Sequence, residues 1–82
     1  MIQILITITL FCFKQKIQIF QDNNCIEIIE APIMDINKII EQLYNEYIID
    51  KIIFTNKNYL ANKCKENLKE YLKNKEIDIK IS

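Results

Sequence analysis

The sequence contains no Gly, no His and no Arg, and Pro32 is its only proline. Without His, the chain cannot form a Ser-His-Asp or Cys-His catalytic arrangement or a mixed Cys/His zinc site. Without Gly, it lacks the phosphate-binding loops whose backbone conformations depend on that residue. Without Arg, no guanidinium group can hold a carboxylate, a phosphate or a guanine edge through two parallel hydrogen bonds. Most familiar active sites are therefore excluded, and we expect no catalytic or cofactor-binding residue.

Amino acids with AT-rich codons dominate the composition. The chain has 20 Ile and many Lys and Asn, whereas Val is absent and Ala is scarce. Ile, Lys, Asn, Tyr and Phe have AT-rich codons, and Gly, Ala, Arg and Val do not. The composition therefore indicates an AT-rich genome, such as that of a virus or a mobile element.

Length and charge limit the class of protein. With 82 residues, half of them hydrophobic and 27% charged, the chain is expected to fold as a single globular domain over residues 1–82. A domain this short is marginally stable alone, so we expect a protein partner or a homo-oligomer. The 11 basic and 11 acidic side chains cancel, whereas a dedicated nucleic-acid-binding protein usually has a basic excess.

The cysteines and the apolar N-terminal segment bear on location. Cys12, Cys25 and Cys64 are odd in number and have no CxxC spacing, so they do not indicate a disulfide framework. We expect them to be free, buried thiols in a reducing cytoplasm. Residues 1–13 are too few to span a bilayer, which takes about 20 residues, and they lack the features of a secretory signal. The sequence thus predicts a cytoplasmic protein that makes no membrane contact.

Residues 1–30 alternate with the period of two that is typical of β-strands. Met1–Thr9 carries Ile at every even position, and its other face is half-apolar, as in a central strand covered on both sides. Lys16–Gln21 and Cys25–Glu30 alternate again around Asp22-Asn23-Asn24, residues that tolerate left-handed backbone conformations. They predict a β-hairpin over residues 16–30. Between these elements, the first strand either continues through Phe13 or turns at Leu10.

Residues 32–81 combine helical and strand patterns. Apolar residues at helical spacing predict two amphipathic helices, and short apolar or alternating runs predict two more strands. Pro32 ends the hairpin, and Asp35 is expected to cap a helix over 36–47. The run Lys51–Thr55 then predicts a buried parallel strand. Asn56 or Asn58 caps a Lys-rich helix over 58–74, whose apolar stripe includes Tyr59, and Ile77–Ile81 forms an edge strand. The predicted order is β-β-β-α-β-α-β.

This order of elements predicts an α+β fold. The first three strands form an antiparallel meander, and the final β-α-β unit is a right-handed crossover between parallel strands. Together they give a single five-stranded mixed sheet, in the spatial order 3-2-1-4-5, with two amphipathic helices packed on it.

The order, the hairpin Lys16–Glu30 and the segment Asp50–Asn56 entering a helix resemble the core of the ribonuclease-H-like superfamily, which includes the actin-like nucleotide-binding halves. The resemblance implies an acidic residue on the first strand and another near the end of the fourth, holding two metal ions. Here the first strand has no Asp or Glu, and the fourth ends in Thr55 and Asn56. The chain thus resembles a member without the metal site and without the phosphate-binding glycines.

Three hypotheses about function follow. The first is a non-enzymatic protein-interaction domain that uses exposed aromatic side chains, with Phe11, Phe13 and Phe20 as the candidate partner surface; in the alternative, the helices and the loop close over these residues. The second is a nucleic-acid-binding module in which Lys65, Lys69 and Lys73 form a basic ridge on the helix 58–74. The third is the remnant of a metal-dependent nuclease, which the carboxylate positions do not favour. We take the first as the best supported by the sequence.

Overall fold

Five strands form one mixed sheet in the order β3-β2-β1-β4-β5, in a computed structural model that describes all 82 residues. The strands are β1 (Ile2–Thr9), β2 (Lys14–Gln21), β3 (Asn24–Pro32), β4 (Ile49–Phe54) and β5 (Asp78–Ile81). The pairs β1–β2 and β2–β3 are antiparallel, whereas β1–β4 and β4–β5 are parallel. The predicted α+β class and the predicted strand order are both confirmed.

The even-numbered isoleucines of β1 build the centre of the core. Ile4 lies between Ile19 on β2 and Ile52 on β4, and Ile6 lies between Ile17 and Phe54. These side chains project from the same face of the sheet because partners in register share a face. All of them are fully buried, so the alternation in the sequence correctly predicts a central strand.

Both helices cover that one face. The helices are α1 (Ile36–Glu46) and α2 (Tyr59–Tyr71), and their buried residues join the sheet in one cluster of 17 side chains. The opposite face of the sheet carries no helix. Leu5 of β1 and Ile53 of β4 remain partly exposed there, so the prediction that β1 is covered on both sides is wrong.

The two helices begin differently. Asn58 caps α2, because its side-chain Oδ1 accepts a hydrogen bond of 2.7 Å from the backbone N–H of Ala61. Asp35 stands before α1, but its side chain makes no capping hydrogen bond. A single 3₁₀ turn at Ile33–Asp35 leads into α1, and the backbone N–H of Ile36 bonds to Ile33 instead. The predicted capping role of Asp35 is therefore wrong, and that of Asn58 is confirmed.

The two hairpin connections reverse the chain without glycine. Asp22 and Asn23 join β2 to β3 with φ angles of 49° and 74°, the conformation that a tight two-residue turn requires. Leu10–Phe13 connects β1 to β2, so β1 turns after Thr9 rather than continuing through Phe13. The hairpin therefore extends over Lys14–Pro32 and is longer than the predicted 16–30.

Neither helix of this fold has the length and apolar character needed to cross a bilayer.

Candidate interaction surface

Three connections meet at one end of the sheet. The strands β1 and β4 finish there, β2 begins there, and β3 finishes there because it is antiparallel to β2. We call the end of the sheet at which β1, β4 and β5 finish the carboxyl end, and we call the opposite end of the sheet the amino end. Binding sites of open sheets with parallel strands gather at carboxyl ends, and the most exposed aromatic side chains of this chain lie there.

Large apolar side chains project into solvent at the carboxyl end. Phe11 is 97% exposed, Met34 87%, Tyr59 77% and Phe13 67%, and Leu10 is also exposed. We call these five residues the apolar end. A groove of about 450 Å³ joins their elements and is lined by Cys12, Phe13, Pro32, Ile33, Met34 and Leu60. Apolar side chains clustered in this way are typical of protein-binding surfaces.

The backbone of Phe13 lies in the left-handed region, with φ at 50°. A residue with a Cβ atom pays roughly 1–2 kcal/mol for this conformation. The carbonyl of Phe13 accepts a hydrogen bond of 3.0 Å from the N–H of Ile33, which ties the connection to the end of β3. The strained position thus holds an exposed aromatic ring beside the groove.

Neutral side chains occupy the centre of the carboxyl end. The hydroxyls of Thr7 on β1 and Thr55 after β4 share a hydrogen bond of 2.6 Å. Asn56, the next residue, is hydrogen-bonded through its side-chain amide to the backbone of Ile8. These are the strand positions at which the resemblance implied metal-binding carboxylates. No group of three or more Asp, Glu or Cys residues able to hold a metal ion occurs in the structure.

Charge is distributed unevenly along the strands. Lys14, Lys16 and Lys57 are exposed near the apolar end, and none of them forms an ion pair. The acidic residues at this end are Glu30 and Asp35. The chain is neutral as a whole, so an excess of lysine here implies an excess of carboxylate elsewhere.

Unpaired carboxylates lie at the amino end. Glu46, Asp50, Glu76 and Asp78 are all exposed there and form no ion pair. They outnumber the two lysines of this end that also form no ion pair, Lys51 and Lys75. Asp50 accepts a hydrogen bond of 2.8 Å from the N–H of Ile2, and Lys75 lies over the ring of Tyr44 at 4.6 Å. The sequence did not predict this polarity, because Lys14 and Lys57 are far apart in the chain and only the topology brings them to one end.

The predicted partner residues do not form one surface. Phe11 and Phe13 belong to the apolar end. Both are exposed, so the helices and the loop do not cover them. Phe20 lies near the other end of β2, seven residues or roughly 23 Å of extended chain from Phe13. It is partly buried on the sheet face without helices, beside Met1, Gln3, Asp22 and Asn23. The grouping of Phe20 with the other two is therefore wrong.

The predicted basic ridge of Lys65, Lys69 and Lys73 is interrupted. Lys65 has only 20% of its side chain exposed and lies 3.7 Å from Glu66. The helix α2 ends at Tyr71, not at residue 74, so Lys73 lies beyond it and pairs with Glu70 at 3.4 Å. Lys69 is exposed and forms no ion pair. The three lysines thus present one free ammonium group rather than three.

The aromatic residues of α2 also differ from the prediction. Tyr59 was expected in the apolar stripe, but it is the first helical residue and points into solvent at the apolar end. The hydroxyl of Tyr71 donates a hydrogen bond to Glu41 of α1. The hydroxyl of Tyr71 therefore links the two helices while its ring stays 46% exposed, and Tyr59 is the more exposed of the two at 77%.

The cysteines are free, as predicted, but only one is buried. Cys12 and Cys25 are exposed, whereas Cys64 lies in the core. Burial raises the pKa of the Cys64 thiol. No His or ion pair accompanies any of the three thiols. The prediction of buried thiols is wrong for Cys12 and Cys25, because both lie in or beside hairpin turns.

Comparison with known proteins shows similarity in fold. No protein-family model matches the sequence, and no curated protein matches it. A solved structure from Bacteroides thetaiotaomicron VPI-5482, of a protein with an actin-like ATPase fold and unknown function, superposes on 99% of this chain with a TM-score of 0.71 and 9% identity. The chain spans 32% of that protein. The fold is therefore similar to the actin-like ATPase fold, as the resemblance implied.

Proposed function

We propose that this chain is a small, non-enzymatic protein-interaction domain that binds a protein through the apolar end. The observation that carries the proposal is the exposed, strained Phe13 among Leu10, Phe11, Met34 and Tyr59. Burying such side chains against a partner removes apolar surface from water, which is the main favourable term in protein association. The three connections that present them also frame a groove for a partner side chain.

The identity of residue 13 supports a role in binding. The composition of the chain explains why Gly is absent from this left-handed position, but it does not explain why Phe stands there instead of Asn or Asp. At the other turn the chain fills its left-handed positions with Asp22 and Asn23, which tolerate them at lower cost. Strained positions that persist where a cheaper residue is available are typical of functional sites. The aromatic ring at residue 13 therefore supports the view that evolution has retained Phe here because it binds a partner.

The non-enzymatic part of the proposal is supported by the centre of the carboxyl end. The polar groups of Thr7, Thr55 and Asn56 are hydrogen-bonded to each other or to the backbone. A general acid or base needs a titratable group within reach of a substrate, and these three side chains do not titrate. Titratable groups do line the groove of about 320 Å³ that Thr7 borders, and they are Cys12, Lys14, Lys16 and Glu30. The abundance of amino acids with AT-rich codons supports an accessory or structural protein of a virus or mobile element. The nucleic-acid hypothesis loses support because Lys65 and Lys73 have carboxylate neighbours.

Site-specific photo-crosslinking tests the proposal. A benzophenone amino acid replaces Phe11 in one sample and the exposed Asn67 of α2 in a matched control, and both proteins are irradiated in a lysate of the cells that naturally make them. We expect protein adducts from position 11 and few from position 67. Equal adducts from both positions, no adduct from position 11, or adducts to nucleic acid alone would contradict the proposal.

A further inference from the structure

We propose that the apolar end binds the amino end of a second copy of this chain, so that copies associate head to tail. This inference rests on the proposed function and names its partner. It commits to a heterologous contact, in which two different surfaces meet and each copy offers one of each. The observations that carry it are a groove at the amino end and the opposite charges of the two ends.

The amino end offers a receiving groove. A groove of about 290 Å³ is lined by apolar side chains that include Tyr44, Tyr47, Ile48 and Ile77 and is bordered by Asp50 and Glu76. An apolar cavity of about 150 Å³ is large enough to bind benzene, so the ring of one phenylalanine fits here. Phe11 is the most exposed large side chain of the apolar end, and Ile48 is 87% exposed beside the receiving groove. Phe11 is the side chain we place in this groove.

The charges favour this orientation. Head-to-tail contact brings Lys14 and Lys57 of one copy towards Asp50 and Glu76 of the next. None of these four side chains has an ion-pair partner within its own chain. Contact between two apolar ends would instead oppose two surfaces with an excess of lysine, and contact between two amino ends would oppose two surfaces with an excess of carboxylate. Charge complementarity selects among such orientations because apposed like charges are costly.

The sheet edges are less suited to joining copies. The edge strand β5 has only four residues and carries Asp78 and Lys80. The other edge strand, β3, has nine residues and exposes Ile26 and Ile28, but it has a register shift opposite Ile19 and Phe20 and ends at Pro32. Short strands, charges, bulges and proline all hinder pairing at an edge. The two ends of the sheet are thus the better contact surfaces.

Two exposed substitutions separate head-to-tail association from the alternatives. Phe11→Asp changes only the apolar end, and Ile48→Asp changes only the amino end. Light scattering after size exclusion, up to a protein concentration of about 1 mM, should show that the mass of the unchanged protein grows with concentration past a dimer. Each variant alone should be monomeric, with affinity reduced by roughly 30-fold or more, as for an interface hot spot.

The mixture of the two variants is the decisive measurement. In an equimolar mixture, the intact apolar end of Ile48→Asp meets the intact amino end of Phe11→Asp, and the two Asp-bearing surfaces remain unpaired. We expect a dimer and nothing larger. A symmetric dimer through the apolar end would leave Ile48→Asp dimeric and give no new species on mixing, which would overturn the proposal. Circular dichroism of each variant confirms that it is folded.

Failure of this inference is distinguishable from failure of the proposed function. If the unchanged protein stays monomeric while position 11 crosslinks to a different protein, the second copy is the wrong partner and the interaction domain stands. If position 11 yields no protein adduct, the proposed function fails and this inference fails with it. Adducts between position 11 and residues near Ile48 of another copy support both.

Discussion

The side-chain amide of Asn56 bonds to both backbone polar groups of Ile8. The N–H of Ile8 donates to Oδ1 at 3.2 Å, and Nδ2 donates to the carbonyl of Ile8 at 2.6 Å. The strand β4 ends at Phe54, opposite Ile6, so Ile8 has no backbone partner on that side. An amide side chain offers the same donor and acceptor as a peptide group. Asn56 therefore extends the β1–β4 pairing past the end of β4.

Replacing Asn56 should measure the value of this arrangement. We expect Asn56→Ala to lower the free energy of unfolding by about 1–2 kcal/mol, because it leaves two partly buried backbone groups of Ile8 without partners. Urea denaturation followed by circular dichroism provides the measurement. Asn67→Ala is the matched control, since Asn67 is exposed on α2 and forms no side-chain hydrogen bond. Equal effects of the two substitutions would show that the amide contributes nothing specific.

Neighbouring isoleucines of β4 test whether the core lies on one face only. Ile52 is fully buried under the helices, and Ile53 is partly exposed on the opposite face. We expect Ile52→Val to cost about 0.5–1.5 kcal/mol of unfolding free energy, the usual loss for a buried methylene, and Ile53→Val to cost less than about 0.5 kcal/mol. Thermal denaturation of both variants provides the comparison. A larger loss at Ile53 would mean that something covers the second face of the sheet.

Strand pattern and turn chemistry were readable from the sequence because they are local. Ile at every even position of β1 has only one interpretation as a strand, and Asp22-Asn23 is a turn wherever it stands between two such patterns. The strand order then follows from the short connections and the handedness of the final crossover. These local signals sufficed for the fold class and the order of elements.

The ends of elements and the site were harder to predict. The sequence pattern predicts α2 as far as residue 74, because no Gly or Pro follows Tyr71 to mark its end. Tyr59 shares the helical period of the core residues, but its place in the first turn directs it to solvent. The predicted strand Lys16–Gln21 already places Phe20 beside the turn at Asp22 and away from Phe13, so their separation was readable from the pattern. The point where β1 turns was not, because Leu10–Phe13 contains no turn residue. The excess of lysine at the carboxyl end and of carboxylate at the amino end arises only when the chain folds, because residues distant in sequence are brought to the same end of the sheet.

Phe13 should show a conflict between stability and binding. We expect Phe13→Gly to raise the free energy of unfolding relative to Phe13→Ala by about 1 kcal/mol, because only Gly removes the Cβ strain at φ 50°. Both substitutions remove the ring, so both should weaken association through the apolar end. Denaturation and light scattering of the same pair of variants measure the two effects. If Phe13→Ala is as stable as Phe13→Gly, the left-handed conformation carries no strain and no longer supports a functional role for residue 13.

The three thiols should differ in reactivity, and one of them should make stability depend on alkaline pH. We expect Ellman's reagent to modify Cys12 and Cys25 in the folded protein, and Cys64 only after unfolding, because Cys64 is buried.

Burial raises the pKa of Cys64 in the folded state, so above the ordinary thiol pKa of about 8.5 the thiol loses its proton in the unfolded chain first. Stability from this thiol is therefore complete below pH 8.5 and falls as the pH rises towards the folded pKa, by at most about 1.4 kcal/mol per pH unit. Cys64→Ala should flatten this slope in urea denaturation between pH 8 and about 10, whereas Cys25→Ala should leave it unchanged. Partial burial and the neighbouring Glu27 also raise the pKa of Tyr47, so the slope that remains in Cys64→Ala should begin only near pH 10; an unaltered slope from pH 8.5 would show that Cys64 is not its source.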